Sequence, residues 1–365
     1  MAKVLILANH FITIHSFRKE LVQELVNLGH DVFLSLPKDS DNIWFENLGC
    51  KIIETKIERR GFNPIKDFGL LLNYYKMMNY VHPDIVFSYT IKPNIYGSIA
   101  SNFLHIKQVC NITGTGATFL KRNLISHICE FLYKISVRKC YKVFFQNTGD
   151  RDYFIEHNMV NDNFAMLPGS GCNLSQHKFV PLPNTSHLNF IYIGRVMQLK
   201  GIDEYLECAK QIHLLFPKTS FYIAGWNEEP DYMRKVEEAQ KAGYVEYLGF
   251  RKDIDHWIEK CHCTILASHG GEGVPNVLLE SAATGRICIA SEINGSKDVI
   301  EDGVTGFLFE KGNAEDLIEK VKLFIKLPYD EKMKMSAASR KKVEKEFDRN
   351  IVVNAYIEEV EKCNK

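Results

Sequence analysis

A rhythm constrains this chain more than any single residue: short runs rich in Val, Ile and Phe alternate with helical stretches, and the whole alternation occurs twice. In the first half the runs fall at residues 3–10, 31–36, 51–57, 84–89, 108–113 and 142–146. They are nearly continuous in apolar residues, as parallel strands covered on both faces require. Helical patterns lie between them, the first ending at the stop Gly29. The rhythm pauses at 168–184, where Gly169, Gly171, Pro181 and Pro183 read as a connection. It resumes with runs at 188–194, 220–225, 245–249, 263–268, 286–291 and 306–309, and charged helical segments close the chain after Asn313. Such alternation predicts an α/β protein with doubly wound sheets. We expect two Rossmann-like domains at 1–170 and 188–345, a linker at 171–187, and a C-terminal helix over 346–365 packing back toward the first domain. Sheets of this kind bind ligands beyond the carboxyl ends of their strands, which puts an active site in the cleft between the domains.

Composition excludes several function classes. At 365 residues two domains are the natural expectation, and 45% hydrophobic with 25% charged residues is neither a disordered nor a fibrous composition. The 45 Lys and Arg balance the 45 Asp and Glu, so no overall field recruits nucleic acid. No apolar run reaches the roughly 20 residues that span a bilayer. A strand begins at Lys3 with no export-signal core before it, so the expected location is cytoplasmic. The ten cysteines show no framework spacing and are expected as reduced thiols. Cys261 and Cys263 flank His262 like a metal knuckle, but no second ligand cluster lies nearby; they read as packing residues, and no metal site is expected.

Two segments carry chemistry. The first is His269-Gly-Gly-Glu-Gly-Val-Pro-Asn-Val-Leu-Leu-Glu280, ending in a helix stopped by Gly285. It follows a strand, so it sits at a ligand-facing edge. Pro275 suits a first helical turn. The backbone N–H groups of Val274, Asn276 and Val277 would then lie at the positive end of a helix dipole, a site for phosphate or sugar oxygens. Glu272 before the helix and Glu280 within it would place two carboxylates at different depths of one pocket, each able to accept from sugar hydroxyls. The second segment is Gly194-Arg195-Val-Met-Gln-Leu-Lys200-Gly201, directly after the first strand of the second domain. Glycines that admit close backbone approach, an Arg fork and a Lys point charge are what a diphosphate needs. The same cations would offset charge on a departing nucleoside diphosphate. Gly114-Thr-Gly116 and Gly169-Ser-Gly171 do not complete a dinucleotide fingerprint; the loop at 114–119 reads as acceptor-side instead.

With these residues, and with the first-domain phrases Ser88-Tyr-Thr-Ile-Lys-Pro-Asn-Ile-Tyr-Gly97, Asn111-Ile-Thr-Gly-Thr-Gly116, Phe145-Gln-Asn-Thr148 and Leu167-Pro-Gly-Ser-Gly171, nearly the whole chain resembles glycosyltransferase family 4. These are retaining enzymes of the GT-B fold, and the phrases are similar to the bacterial capsular and exopolysaccharide subgroup. The resemblance implies transfer of a hexose or N-acetylhexosamine from a nucleotide diphosphate-sugar, a UDP-sugar by subgroup habit. The acceptor would be a polyprenyl-diphosphate-linked saccharide or a growing surface polysaccharide, and neither metal nor cofactor would take part. It implies that Arg195 and Lys200 hold the donor diphosphate with Gly194, that Glu272 with Gly273 meets the donor sugar, and that Glu280 meets the ribose. The loop holding Phe250 and Arg251 would lie along the nucleobase. Attack would be from the front face, the leaving phosphate accepting the acceptor's proton.

The first domain departs from the family pattern. Many relatives carry a glycine pair in the first βα turn, where this chain has Asn9-His-Phe-Ile-Thr-Ile-His15-Ser-Phe-Arg18; Thr113 and Gly114 stand where some relatives place a His. His15 is then either an acceptor contact or a helix-start residue, Arg18 meets an acceptor phosphate or a neighbouring acid, and Lys92 touches the acceptor or shapes the turn before Pro93. The segments 121–139 and 63–81 are apolar at helical spacing, the former also basic, and each reads either as sheet cover or as a contact with the inner face of a membrane. Two other functions share the architecture. A UDP-sugar 2-epimerase would need acid/base groups deep in the cleft, and a sugar-binding protein would have no use for paired phosphate cations.

Overall fold

The computed structural model describes residues 1–58, 61–116, 119 and 123–363. The chain divides into two compact units: Met1–Gly171 with Gly271–Gly273 and Arg349–Lys365, and Cys172–Gly270 with Val274–Asp348.

The first unit is built on seven strands, β1 (Lys3–Leu7), β2 (Asp31–Leu36), β3 (Lys51–Glu54), β4 (Ile85–Tyr89), β5 (Lys107–Ile112), β6 (Lys142–Phe145) and β7 (Phe164–Met166). Their order is β3-β2-β1-β4-β5-β6-β7, all pairs parallel. Sequence order reverses between β1 and β4, so the edge beyond those two strands is the switch point where doubly wound sheets bind ligands. Strand residues alternate between two cores. Val4 and Ile6 face Leu21, Val22 and Leu25 of the helix Phe11–Asn27 and Val352, Val353, Tyr356 and Val360 of the helix Arg349–Glu361. Leu5 and Leu7 face Leu70, Tyr74 and Met78 of the helix Pro64–Val81, with Ile95 and Ala100 of the helix Ile91–Leu104. The short strand β7 has no counterpart in the sequence reading, because its apolar run is only three residues long, partly covered, and close to the pause at Pro168.

The second unit repeats the plan with β8 (Leu188–Ile193), β9 (Thr219–Ala224), β10 (Glu246–Gly249), β11 (Cys263–Leu266), β12 (Ile287–Ser291) and β13 (Gly306–Phe309). Their order is β10-β9-β8-β11-β12-β13, again parallel throughout. Here the reversal falls between β8 and β11, registered Phe190 to Cys263. Residues 172–187 run along this unit. Leu182 joins its core, the Val180 N–H donates to the Thr284 carbonyl at 3.1 Å, and buried Arg286 donates to the carbonyls of Val180, Pro181, Glu259, Cys261 and Thr284. The Cys261-His262-Cys263 group is buried packing. The His262 Nδ1 accepts from the Asn189 N–H at 3.1 Å and Nε2 donates to the Pro183 carbonyl at 3.0 Å.

Candidate active site

The switch point of the second unit gathers both chemistry-bearing segments. Parallel pairing sets the carboxyl end of β8 beside that of β11, so the turn at 194–201 and the loop at 267–270 leave the sheet as neighbours. Gly201 closes that approach. Its φ is +70°, and a Cβ there would lie 1.9 Å from the Ala267 carbonyl oxygen, a position only glycine can occupy. The His269 N–H donates to the Leu199 carbonyl at 2.9 Å, and its Nε2 pairs at 2.9 Å with Glu204 in the first turn of the helix Ile202–Leu215. Lys200 stands at the end of the short 3-10 turn Gln198–Lys200 and is half-buried.

A second close approach lies one strand over, where a Cβ on Gly225 would fall 1.8 Å from the Gly194 carbonyl oxygen. It lets the loop after β9 lie against Gly194-Arg195. As a result Arg195 does not stand alone: its Nη1 bonds Glu228 Oε2 at 3.1 Å, and the Trp226 Nε1 donates to Glu228 Oε1 at 3.2 Å. Trp226 in turn stacks obliquely with Phe250 after β10, ring centroids 5.5 Å apart, with 39% and 57% of the two residues exposed. An exposed aromatic pair at a strand-end edge is a platform for a planar ring. Arg251 forms a bidentate pair with Asp253 at 2.6 and 2.8 Å. Trp226 and Glu228 were missed by the sequence reading; the only available signal was the Gly225-Trp226 step after an apolar run.

The helix expected after the acidic loop is Asn276–Ala283, with Pro275 at its N-cap one position before the first turn and Val274 buried. As its opening residues, Asn276 and Val277 have N–H groups with no carbonyl four residues back within the helix. Glu280 lies half-buried on this helix, in the second unit. Gly271–Gly273, with Glu272, groups instead with the first unit. There the Gly116 N–H donates to the Gly271 carbonyl at 2.9 Å, the Gly273 N–H donates to the Thr113 carbonyl at 3.1 Å, and the Asn147 Nδ2 reaches the Glu272 carbonyl at 3.4 Å. The structure thus brings Glu272 and Gly273 to Thr113, Gly114 and Gly116.

Buried Asp150 supports that loop, taking the Asn147 Nδ2 at 2.8 Å and the Thr115 Oγ1 at 3.3 Å. Burial raises its carboxyl above the usual range, against the lowering effect of those two bonds. Asp150 was not singled out from sequence, since it sits three residues into a helix and only folding carries it to Thr115.

The remaining first-unit candidates separate. His15 stacks on Phe11 with ring centroids 4.8 Å apart and meets the edge of Trp44 at 5.0 Å; burial, then Lys19, lower its pKa. Arg18 meets no carboxylate among the described residues. It is 2% exposed, lies 4.9 Å over the Tyr89 ring and donates to the Phe17 carbonyl at 2.6 Å. Of its two expected partners, the neighbouring acid is therefore replaced by an aromatic face. Lys92 is held by buried Asp67 at 2.7 Å, tying the start of the helix Ile91–Leu104 to that of the helix Pro64–Val81.

Residues 3–147 match the family model described as "Glycosyl transferase 4-like", and residues 175–342 match "Glycosyl transferases group 1". The chain is 26% identical to the N,N'-diacetylbacillosaminyl-diphospho-undecaprenol alpha-1,3-N-acetylgalactosaminyltransferase of Campylobacter jejuni, over 94% of each chain. Among solved structures it is similar to a glycosyltransferase of Rickettsia africae, with a TM-score of 0.82 at 19% identity, covering 100% of this chain and 99% of that one. It is also similar to Anabaena HepE in complex with UDP and glucose, with a TM-score of 0.81 at 16% identity, covering 99% and 100%. Both likenesses place the fold among GT-B structures.

Proposed function

From a bacterial-type glycosyltransferase chain, whose glycosyl transferase 4-like domain precedes a group 1 domain, we propose a retaining enzyme that uses a UDP-sugar and extends a polyprenyl-diphosphate-linked saccharide. The observation that carries this reading is the β8/β11 switch point. Gly194-Arg195, Lys200-Gly201 and the start of the helix Asn276–Ala283 all lie on that one sheet edge. That set offers a guanidinium, an ammonium and helix N–H groups to one diphosphate. The pair Trp226 and Phe250 receives the base, and Glu280 receives a ribose hydroxyl. Glu272, with Gly273, holds the donor sugar, and Thr113, Gly114 and Gly116 border the acceptor. A UDP-bound relative of the same fold and a relative named for an undecaprenyl-diphosphate acceptor support the choice of ligands.

In the reaction the bond between the sugar's anomeric carbon and the diphosphate oxygen breaks while a bond to the acceptor hydroxyl oxygen forms on the same face. The acceptor's proton passes to the departing phosphate. Arg195 and Lys200 offset the charge left on that phosphate, the role a metal fills elsewhere. Glu228 keeps the Arg195 fork oriented. An enzyme with such an acceptor works at the inner face of the membrane from the cytoplasm. No helix among the described residues is long and apolar enough to cross a bilayer.

Two measurements test the reading. UDP should raise the melting temperature more than GDP or ADP, and stabilisation by none of the three would overturn the donor site. In a donor screen against a polyprenyl-diphosphate saccharide read by mass spectrometry, Lys200→Ala and Glu272→Gln should each lower turnover by at least about a hundredfold. Normal turnover in both would reject the assigned residues.

A further inference from the structure

A helix that covers a sheet normally turns its apolar stripe inward. The helix Leu124–Ser136 sets Tyr133 in the core, with Leu132 partly covered against it, and also leaves apolar residues outside. Its buried residues are Ser126, Cys129, Tyr133 and Ser136, whereas Leu124, Ile125, Phe131 and Ile135 are exposed, Leu124 by 75% and Phe131 by 61%. The Ser136 carbonyl accepts from Asn102 on the helix Ile91–Leu104 at 3.0 Å, which ties the end of the helix to its neighbour. The preceding Lys121 and Arg122 lie outside the described residues.

The helix Pro64–Val81 packs on that same helix Ile91–Leu104. It buries one stripe, Leu70, Tyr74, Met77 and Met78, and exposes a second, Ile65, Phe68, Leu72 and Tyr75. The spacing of three, four and three residues puts those four on one outward face. Each helix therefore carries an apolar face that no described residue covers, and the two share a supporting helix. Lys76, Lys134, Arg138 and Lys139 are exposed around these stripes, and no carboxylate among the described residues pairs with any of them. Of the acids on or beside these helices, Glu58 is engaged by Lys66, Asp67 by Lys92, and Glu130 by Tyr153 and His127.

Exposed Leu, Ile, Phe and Tyr accompanied by exposed cations, of which Arg138 bonds only the neutral Asn161 side chain at 2.8 Å, match a bilayer surface rather than a protein groove. The apolar side chains enter the headgroup layer, and the cations meet anionic lipid. We propose that this face of the first unit, formed by the helices Pro64–Val81 and Leu124–Ser136, docks on an anionic lipid surface. The proposal deepens the lipid-linked acceptor reading above and rests on it for the membrane concerned. It adds which surface touches the lipid and what holds it there.

The test is flotation of the full chain with vesicles of phosphatidylcholine alone or with about one-third phosphatidylglycerol. Binding is expected to the anionic vesicles and to weaken with salt. Phe68→Ser with Phe131→Ser should weaken it by about tenfold or more for each side chain. Lys134→Ser with Arg138→Ser and Lys139→Ser should weaken it by about fivefold for each cation. All substituted residues are exposed, and an unchanged melting temperature confirms folding. Failure of the parent protein to float, or variants that float as it does, would overturn the proposal. So would self-association abolished by Phe131→Ser without any lipid binding. Melting with UDP on the same samples separates the two readings. Stabilisation without flotation removes the lipid face and leaves the donor site; flotation without stabilisation does the opposite.

Discussion

At the residue scale the candidate site depends on two glycines that permit backbone crossings. Gly201 presses on the Ala267 carbonyl and Gly225 on that of Gly194, both too close for any Cβ. Gly201→Ala must shift backbone and also place a side chain at positive φ, so a loss of about 3 kcal/mol in urea unfolding is expected. The displaced Lys200 should weaken UDP binding in a titration by more than tenfold, and parent-like values would show that the turn relaxes freely. Gly201 was legible in the sequence because it ends a strand-turn-helix phrase. Glu228 was not, because nothing local marks it. Its relation to Arg195, 33 positions earlier, arises only when β8 and β9 pair in parallel and their following loops meet. Arg18 shows the converse failure. Its charge was legible, but the Tyr89 face that receives it lies at the end of β4.

At the element scale, all six runs read in the second half are strands, and β13 and β12 fall close to their expected bounds. The continuous apolar runs made them legible, since β11 and β12 are buried at every residue. What periodicity could not show is how residues 172–187 are held. His262 and Arg286 do this from strand edges, by hydrogen bonds to the Pro183, Val180 and Pro181 carbonyls. Burial lowers the His262 pKa from 6.5 to about 4, Arg286 adding to the effect and the bond to Pro183 opposing it. A folded-state pKa below the unfolded one means that the unfolded chain binds more protons as the pH falls. This contribution is therefore present above about pH 6.5 and is lost progressively toward pH 4, reaching about 3 kcal/mol at most. Urea unfolding of the parent should show that decline, and His262→Gln should flatten it. An equal decline in the variant would assign the acid sensitivity to other groups.

At the scale of the whole molecule the two doubly wound sheets were legible because the rhythm is written twice, and a returning helix was expected over 346–365, but the contacts that hold it required the fold. The helix Arg349–Glu361 belongs to the first unit although the second unit precedes it. Arg349 pairs with Glu20 at 2.7 Å and bonds the Gly171 carbonyl, while Tyr356 accepts from the Asn111 Nδ2 at 2.7 Å and packs on Phe87 and Phe144. Val352, Val353, Tyr356 and Val360 are each at most 6% exposed. At about 1.5 kcal/mol or more per buried side chain, the four together contribute at least about 6 kcal/mol, comparable to the stability of a whole domain. Ending the chain after Asp348 should therefore unfold the first unit and spare the second, whose own core holds none of these residues. Calorimetry should show loss of one transition, and limited proteolysis should leave a resistant fragment spanning about 172–348. UDP should still protect that fragment, since the cations and aromatic pair assigned to the donor all lie within it. A truncated chain that keeps both transitions would show that the first sheet does not need its returning helix.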